Sequence, residues 1–312
     1  MIEVNKYHRE IKPMKKYVIF TDSCSDLHKD LRDKYDIRYV PMRFIYNDKD
    51  MEASLDWVDL SPKEFFDLMR DGTRIRTAAV NTQNYLDAFE PVLQEGYDIL
   101  SISCTHALST SVNSSYTARD ELLAKYPDRK IVCVDSANSC GGEGMICIKA
   151  AMLRAEGKTI EETAAWLEEN KLCFNQEAVV EKLTWLKQAG RVKATTAFFG
   201  NLLAIKPLLI SDVHGNNVAI EKAKGRKHSL ARCAERVAEE YVPNDMGIHI
   251  RHADCLEDAL ILKEEIQKRL GLPDEAFDIN YLGPIIGASV GPGTLSAYFF
   301  GKKVTYDSLA NK

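Results

Sequence analysis

Short apolar runs alternate with amphipathic segments along the first half of the chain. Tyr17–Asp22, Asp98–Ser103 and Ile131–Asp135 are β-prone runs, and each is followed by residues with helical spacing. Ser61–Glu64 predicts a helix start, because serine caps a helix, proline suits its first turn and glutamate follows at the capping-box position. Strands that alternate with helices in this way predict a parallel sheet covered on both faces.

The second half of the chain has a different pattern. Residues 202–210 predict a helix end followed by a strand, residues 212–217 a polar turn, and residues 218–224 a partner strand. Leu295–Phe300 is a late strand. Hairpins combined with crossovers predict a mixed sheet.

We therefore expect an α/β fold with two domains after an N-terminal extension over residues 1–14. The N-terminal domain, residues 15–175, is predicted to be a three-layer α/β unit with a parallel sheet. The C-terminal domain, residues 176–312, is predicted to be α/β with a mixed sheet.

Composition excludes several functional classes. The chain has 312 residues, 45% hydrophobic and 28% charged, with a net charge of −5. Without a basic bias, nucleic-acid binding has no electrostatic support. No apolar stretch is long enough for stable membrane insertion, and residues 1–16 lack a signal-peptide core, so we expect a cytoplasmic protein.

Metal and disulfide chemistry have little support in the sequence. The eight cysteines form no Cys-x-x-Cys pair, and the seven histidines form no ligand set at metal-site spacing. We expect free thiols and no metal or cofactor.

Two hydroxyl-rich segments stand where strands are predicted to give way to helices. Thr77 lies in Arg76–Asn81, and Ser109 and Ser111 follow the apolar run that ends at Ser103. Helix N-termini carry unpaired N–H groups and a partial positive charge, so hydroxyls there suit an anionic head group. Ordinary N-caps are the alternative interpretation.

Two glycine-rich segments also invite a functional interpretation. Gly287–Gly291 matches Gly-x-Ser-x-Gly, but no histidine follows Ser289, which disfavours a hydrolase nucleophile elbow and favours a turn with close backbone approach. Gly142-Glu143-Gly144 lacks the full phosphate-binding pattern, so close helix–strand packing is the better interpretation.

Charged residues leave two alternatives open. Asp22 and Asp26 fit an Asx-type cap better than an under-liganded metal site. Arg191 suits either pairing with an anion or the C-terminal end of a helix.

Taken together and in order, these segments resemble the DegV family from about residue 17 to residue 300. The matching segments are Tyr17–Leu27 (opening strand and T-D-S-x-x-D-L turn), Thr77 (T-S-Q-P-S), Leu108–Ser111 (L-S-G-T), Val134–Ser136 with Gly142–Gly144 (D-S and G-x-G), Leu186–Val192 (L-K-x-G-G-R-I), Ile205–Leu209 with Gly215 (I-K-P-I-L and a later glycine) and Gly287–Gly293 (G-A-H-T-G-P-G).

The resemblance implies a non-enzymatic protein that binds one long-chain fatty acid in a tunnel between two domains. The resemblance implies that Thr77 and Ser109 hold the carboxylate. Ser111 lies in the L-S-G-T segment and Ser289 in the G-A-H-T-G-P-G segment, so both are also candidate fatty-acid-binding residues. A separate fatty-acid kinase is the implied partner. Arg191, Lys224 and Arg226 then serve partner contact or anion binding. The chain departs from the family pattern where Ser289 replaces a histidine and Thr110 a glycine.

Two other functions remain open from the residues. One is an enzyme, either a serine hydrolase that uses Ser289 or a phosphotransferase. The other is a sensor for a different small acid or lipid.

Overall fold

The computed structural model describes residues 17–193 and 204–310. The predicted extension over residues 1–14, the helix end at Leu202 and Leu203, and the last two residues lie outside the described residues.

The described residues contain thirteen strands and ten α-helices. The strands are β1 Tyr17–Asp22, β2 Ile37–Val40, β3 Arg43–Tyr46, β4 Lys49–Glu52, β5 Arg76–Ala78, β6 Asp98–Ser103, β7 Ile131–Asp135, β8 Phe174–Val179, β9 Ile205–Ser211, β10 Asn217–Lys224, β11 Ile248–His252, β12 Phe277–Tyr281 and β13 Leu295–Phe300. The helices are α1 Lys29–Tyr35, α2 Pro62–Arg70, α3 Thr82–Gln94, α4 Ser111–Lys125, α5 Cys140–Ala155, α6 Ile160–Asn170, α7 Leu183–Ala189, α8 Arg226–Glu240, α9 Leu256–Leu270 and α10 Pro284–Val290.

The first sheet is parallel and lies between helices, as the sequence predicts. Its order is β2-β1-β6-β7, with Ile19 beside Ile37 and Leu100 beside Val132 in register. Helices α3 and α4 pack together over β6 and β7, and α5 and α6 pack together over β1, β6 and β7. A small antiparallel sheet of order β4-β3-β5 lies beside this unit.

The second sheet is mixed, which confirms the prediction for this half of the chain. Its order is β10-β9-β8-β13-β11-β12. Among the described strands of this sheet, β11 and β12 are parallel to each other, and every other neighbouring pair is antiparallel. Helices α8 and α9 pack against each other and against this sheet, whereas α7 and α10 pack together. The domain boundary at residues 175 and 176 falls inside β8 and stays a prediction.

Helix α5 connects the two sheets, because it packs against β1 and β6 on one side and β8, β11 and β13 on the other. A Cβ on Gly141 would lie 2.5 Å from the Tyr298 ring, and one on Gly144 would lie 2.6 Å from the Ser25 carbonyl oxygen. Only glycine permits such close approach. The packing role predicted for the glycines around Glu143 is therefore confirmed.

Several local predictions were wrong. Strand β4 was not predicted and β5 was expected only as a strand at Thr77 without bounds; the segment 287–291, expected to be a turn, belongs to a helix over residues 284–290 and to its C-terminal cap. Pro284 occupies the first helical turn and Gly291 follows the last residue, a combination that starts and stops a short helix.

Candidate ligand-binding site

A cavity of about 420 Å³ lies between the two sheets. Residues from the ends of the parallel strands and from β5 form one wall, and residues from β8, β9, β13 and α10 form the other. Among them are Met42, Ala79 and Leu108 on the first side and Ala178, Leu209 and Ile285 on the second. A cavity of this size, with apolar atoms over slightly more than half of its walls and polar groups over the rest, suits a small amphipathic ligand.

Two serine hydroxyls are fixed at the start of α4. The Ser109 and Ser111 hydroxyls lie 3.0 Å apart, and the Ser111 N–H donates to the Ser109 oxygen at 3.2 Å. The Ser111 hydroxyl also accepts the Val80 N–H at 3.1 Å. Ser111 is buried and Ser109 lines the cavity, so Ser111 holds Ser109 at the positive end of a helix.

Thr77 lines the cavity from a short strand. It lies in β5, opposite Phe44 of β3, and the following helix α3 is capped by Asn81. The expected position of Thr77, where a strand gives way to a helix, is therefore confirmed, whereas the alternative interpretation of Thr77 as an N-cap was wrong. Its side chain is exposed, and within the described residues its hydroxyl has no hydrogen-bond partner, so this hydroxyl is available to a ligand.

Ser289 lies near the end of α10 and also lines the cavity. Its hydroxyl donates to the Ile285 carbonyl at 3.1 Å, one helical turn earlier. A nucleophile elbow needs its serine on a sharp turn from strand to helix, which this helical position does not provide. Close backbone approach is confirmed at the flanking glycines, since a Cβ on Gly291 would lie 2.2 Å from the Trp185 ring.

Arg191 caps a helix and also faces the cavity. Its guanidinium donates to the Ala189 carbonyl at the end of α7 at 2.6 Å, and to the Leu108 carbonyl at 2.9 Å. The helix-end interpretation is therefore confirmed, and the second bond joins the two halves of the chain. Lys224 and Arg226 do not line the cavity, and Arg226 is paired with Asp258 at 2.8 Å.

Sequence reasoning missed other lining residues. His106 lines the cavity, with its Nδ1 2.5 Å from an Asp135 carboxylate oxygen. Gln176 and Asn217 pair with each other at 3.1 Å across the opposite wall. Single polar residues that lie far apart in the sequence form no local sequence pattern. These residues could therefore not be predicted, because only the fold brings them together. Arg74 and Arg76 were also missed, although their spacing around Ile75 is visible beside Thr77.

Buried acids and thiols lie beneath the cavity wall. The Asp22 carboxylate accepts the N–H groups of Cys24 at 2.8 Å and Cys104 at 3.1 Å, which confirms the Asx-type cap for Asp22. The expectation was wrong for Asp26, whose carboxylate instead accepts the Cys140 thiol at 2.9 Å. Burial raises the pKa of Asp22 to about 6. A hydrogen bond to Cys104, together with burial, raises the pKa of the Cys24 thiol well above its ordinary value. This wall thus presents a neutral Cys24 thiol to the cavity.

No cluster of side chains suited to a metal ion occurs in residues 17–193 and 204–310. None of the helices within those ranges is long and apolar enough to cross a membrane.

Two α/β units with a cavity between their sheets, and hydroxyls at one end of that cavity, define a ligand-binding class of fold. The chain belongs to the DegV family: the family model described as "Uncharacterised protein, DegV family" matches residues 16–302. This confirms the resemblance found in the sequence motifs.

Individual relatives are similar over nearly their whole length. A DegV domain-containing protein of Clostridium perfringens is 39% identical over 289 residues, which cover 92% of this chain and 98% of the relative. The structure of a fatty-acid-binding DegV family protein from Thermus thermophilus has a TM-score of 0.80 at 28% identity, covering 92% and 99% of the two chains. A Ruminococcus gnavus DegV family protein, refined with vaccenic acid, shares the fold with a TM-score of 0.80 at 21% identity, covering 91% and 99%.

Proposed function

We propose that this protein binds one long-chain fatty acid in the cavity between its sheets, with the carboxylate at Thr77 and Ser109. The observation that carries the proposal is the free Thr77 hydroxyl and the Ser109–Ser111 pair at the rim of an apolar cavity. The Thermus thermophilus relative, described as fatty-acid-binding, supports the same ligand class.

We place the carboxylate of the fatty acid at the end of the main cavity that adjoins a second cavity. Thr77, Arg191 and Ser289 line both the main cavity and a second cavity beside it, so they mark the junction between the two. A carboxylate is costly to desolvate unless it is hydrogen-bonded, and hydroxyls at a helix N-terminus satisfy it. The open junction also keeps the carboxylate within reach of solvent.

The hydrocarbon tail supplies the affinity in this proposal. Each buried CH₂ contributes roughly 0.8 kcal/mol, so a 16-carbon chain contributes on the order of 10 kcal/mol before ordering costs. Met42, Leu282, Ile285 and Ile286 provide apolar wall for such a tail. Ser111 is then a positioning residue for Ser109, and Ser289 is a neighbour of the head group.

The protein is proposed to act by binding rather than catalysis, with a separate fatty-acid kinase as the partner that phosphorylates the carboxylate. This part follows from the family resemblance. Lys224 is exposed at the end of β10 and suits partner contact, whereas the ion pair to Asp258 leaves Arg226 less available.

The first test is to denature the purified full-length protein, extract it with organic solvent and identify the extract by mass spectrometry. We expect stoichiometric long-chain fatty acid. Palmitate titration of delipidated Thr77→Ala and Ser109→Ala variants should then show a loss of roughly 1 to 3 kcal/mol each, because each variant removes a hydrogen bond to a charged group.

The matched control is Thr117→Ala, which removes an exposed hydroxyl from α4 outside the cavity. Equal palmitate affinity in all three variants would refute the head-group assignment. An empty extract together with no palmitate uptake would refute the binding function itself. For the kinase, failure to trap acyl hydroxamate after adding a fatty-acid kinase, ATP and hydroxylamine would remove the partner from the proposal.

A further inference from the structure

Strand β13 leads away from the proposed head-group end along one wall of the main cavity. Just before this strand, the Thr294 hydroxyl donates to the Val290 carbonyl at 3.0 Å, and Val290 follows Ser289 in the chain. Thr294, Ser296 and Tyr298 all line the cavity, as alternate residues of one extended segment do. Tyr298 is four positions from Thr294, so it lies about 13 Å farther along the wall.

Three buried polar side chains form the far end of this wall. Gln176 lies opposite Tyr298 across the β8–β13 pair. Ser139 immediately precedes α5, whose Gly141 packs against the Tyr298 ring. Each of the three lines the cavity, and their exposed fractions are between 2% and 6%. We call Ser139, Gln176 and Tyr298 the distal polar wall.

The distal polar wall has hydrogen-bonding capacity that the described residues leave unused. The Ser139 hydroxyl has no partner among them, although serine at this position normally caps the helix. Gln176 donates one amide N–H to Asn217 at 3.1 Å, and its carbonyl oxygen accepts a long bond from Ser211 at 3.5 Å. The amide of Gln176 has a second N–H and a second lone pair. Because unpaired polar groups are costly to bury, the wall favours a ligand that completes these bonds.

The groups at this end of the cavity are neutral. Burial and the neighbouring Cys140 thiol raise the pKa of Tyr298 well above its ordinary value, so its phenol is uncharged. Among the described residues that line the cavity, lysine, aspartate and glutamate are absent, and Arg191 donates to the Leu108 carbonyl at the head-group end. A second carboxylate at the far end would therefore have no lysine or arginine to pair with, whereas a hydroxyl group donates to and accepts from neutral partners.

We propose that the distal polar wall binds a hydroxyl group on the lipid tail, so that the preferred ligand is a long-chain fatty acid hydroxylated beyond the middle of its chain. The inference rests on the proposed function, because the carboxylate at Thr77 and Ser109 sets the direction of the chain. A plain hydrocarbon tail would displace water from Ser139 and Gln176 without replacing its hydrogen bonds, whereas a tail hydroxyl restores them.

The test compares ricinoleate with oleate, which have the same length and double bond and differ by one hydroxyl group. Calorimetric titration of delipidated full-length protein measures both affinities for the native chain, for Ser139→Ala/Gln176→Met and for the control Thr117→Ala/Gln83→Met. The control also removes one hydroxyl and one amide, but from exposed residues that do not line the cavity.

We expect the native chain to bind ricinoleate about tenfold more tightly than oleate, because the hydroxyl completes hydrogen bonds at the wall. Ser139→Ala/Gln176→Met should abolish this preference and change oleate affinity by less than about threefold, whereas the control should keep the preference. Ser139→Ala alone removes no hydrogen bond among the described residues, so it serves if the double variant does not fold. It should reduce the preference by about threefold or more.

Equal affinity of the native chain for the two ligands overturns the hydroxyl site and retains the fatty-acid site. A preference that survives in Ser139→Ala/Gln176→Met, or an equal loss of both ligands in that variant, also overturns it. Ser109→Ala should weaken both ligands by the same factor, because both carry the carboxylate. If Ser109→Ala weakens neither while the preference persists, the head-group assignment fails and the hydroxyl site stands. If the native chain binds neither ligand, the proposed fatty-acid-binding function is refuted.

Discussion

At the scale of single residues, the contribution of a polar side chain to the candidate site depends on its neighbours in the fold more than on its residue type. Ser109 and Ser111 were singled out from a short motif, and the structure holds them 3.0 Å apart. Thr77 was singled out from its hydroxyl-rich segment and by resemblance, but the bounds of its strand were not predicted, because three residues are too few for a periodic pattern. Arg74 and Arg76 were missed for the same reason, since their position beside the second cavity depends on that strand.

Glu143 gives a prediction at this scale, because it is a fully buried carboxyl group with one hydrogen bond. Its Oε1 accepts the Thr21 hydroxyl at 2.8 Å, and among the residues that the structure describes its Oε2 has no partner. Burial, with the nearby Asp22 charge, raises the pKa of Glu143 well above its ordinary value of 4.5.

A raised pKa means that the folded state holds a proton that the unfolded state releases. The contribution of Glu143 to stability is therefore fully present below about pH 4.5 and declines as pH rises toward the folded-state pKa. Glu143→Gln is uncharged at every pH, so its free energy of unfolding should fall less than that of the native chain between pH 5 and pH 8. Urea denaturation at both pH values measures this, with Glu95→Gln as an exposed control; parallel pH profiles would contradict a neutral Glu143.

At the scale of elements, the long helices and buried strands were predictable and the short connections were not. The Ser61 side chain accepts the Glu64 N–H at the start of α2, and the Glu64 side chain accepts the Ser61 N–H, as the capping box predicts. The four-residue β4 and three-residue β5 fall below the length at which alternation is informative. Residues 287–291 were predicted to be a turn because of their glycines and the proline that follows, yet proline and glycine also suit the two ends of a short helix, here residues 284–290.

The end of α10 provides the prediction for this scale. Gly291→Ala places a methyl group 2.2 Å from the Trp185 ring at a φ of +78°, so both a clash and backbone strain result. We expect a loss of more than about 2 kcal/mol in the free energy of unfolding. Gly72→Ala is the matched control, because its φ is +90° but nothing lies within 4 Å of its Cβ position, and about 1 kcal/mol is expected from strain alone. Equal losses in urea denaturation would show that Trp185 moves away without cost.

At the scale of the whole molecule, the two sheets are joined by buried polar contacts as well as by α5. The Arg251 guanidinium is fully buried and donates to the Asp278 carboxylate at 2.6 Å and to the Asp26 carbonyl at 3.3 Å. Although Asp278 is largely buried, the charge of Arg251 holds its pKa well below the usual range. The sequence predicted two α/β units but not this junction, because the contacting residues are more than 200 positions apart.

A ligand bound between two units stabilises both of them, and this gives the last prediction. Palmitate at 100 times its Kd should raise the free energy of unfolding by about 2.7 kcal/mol, because it binds the folded chain alone. For a chain of this length the shift in Tm is on the order of 5 °C. Scanning calorimetry of delipidated protein measures it, with methyl palmitate as the control that has the same tail without the charge. We expect one transition that moves upward as a whole with palmitate and moves less with the ester. Two transitions of which only one moves would mean that the ligand contacts a single sheet, and the site between the sheets would then be wrong.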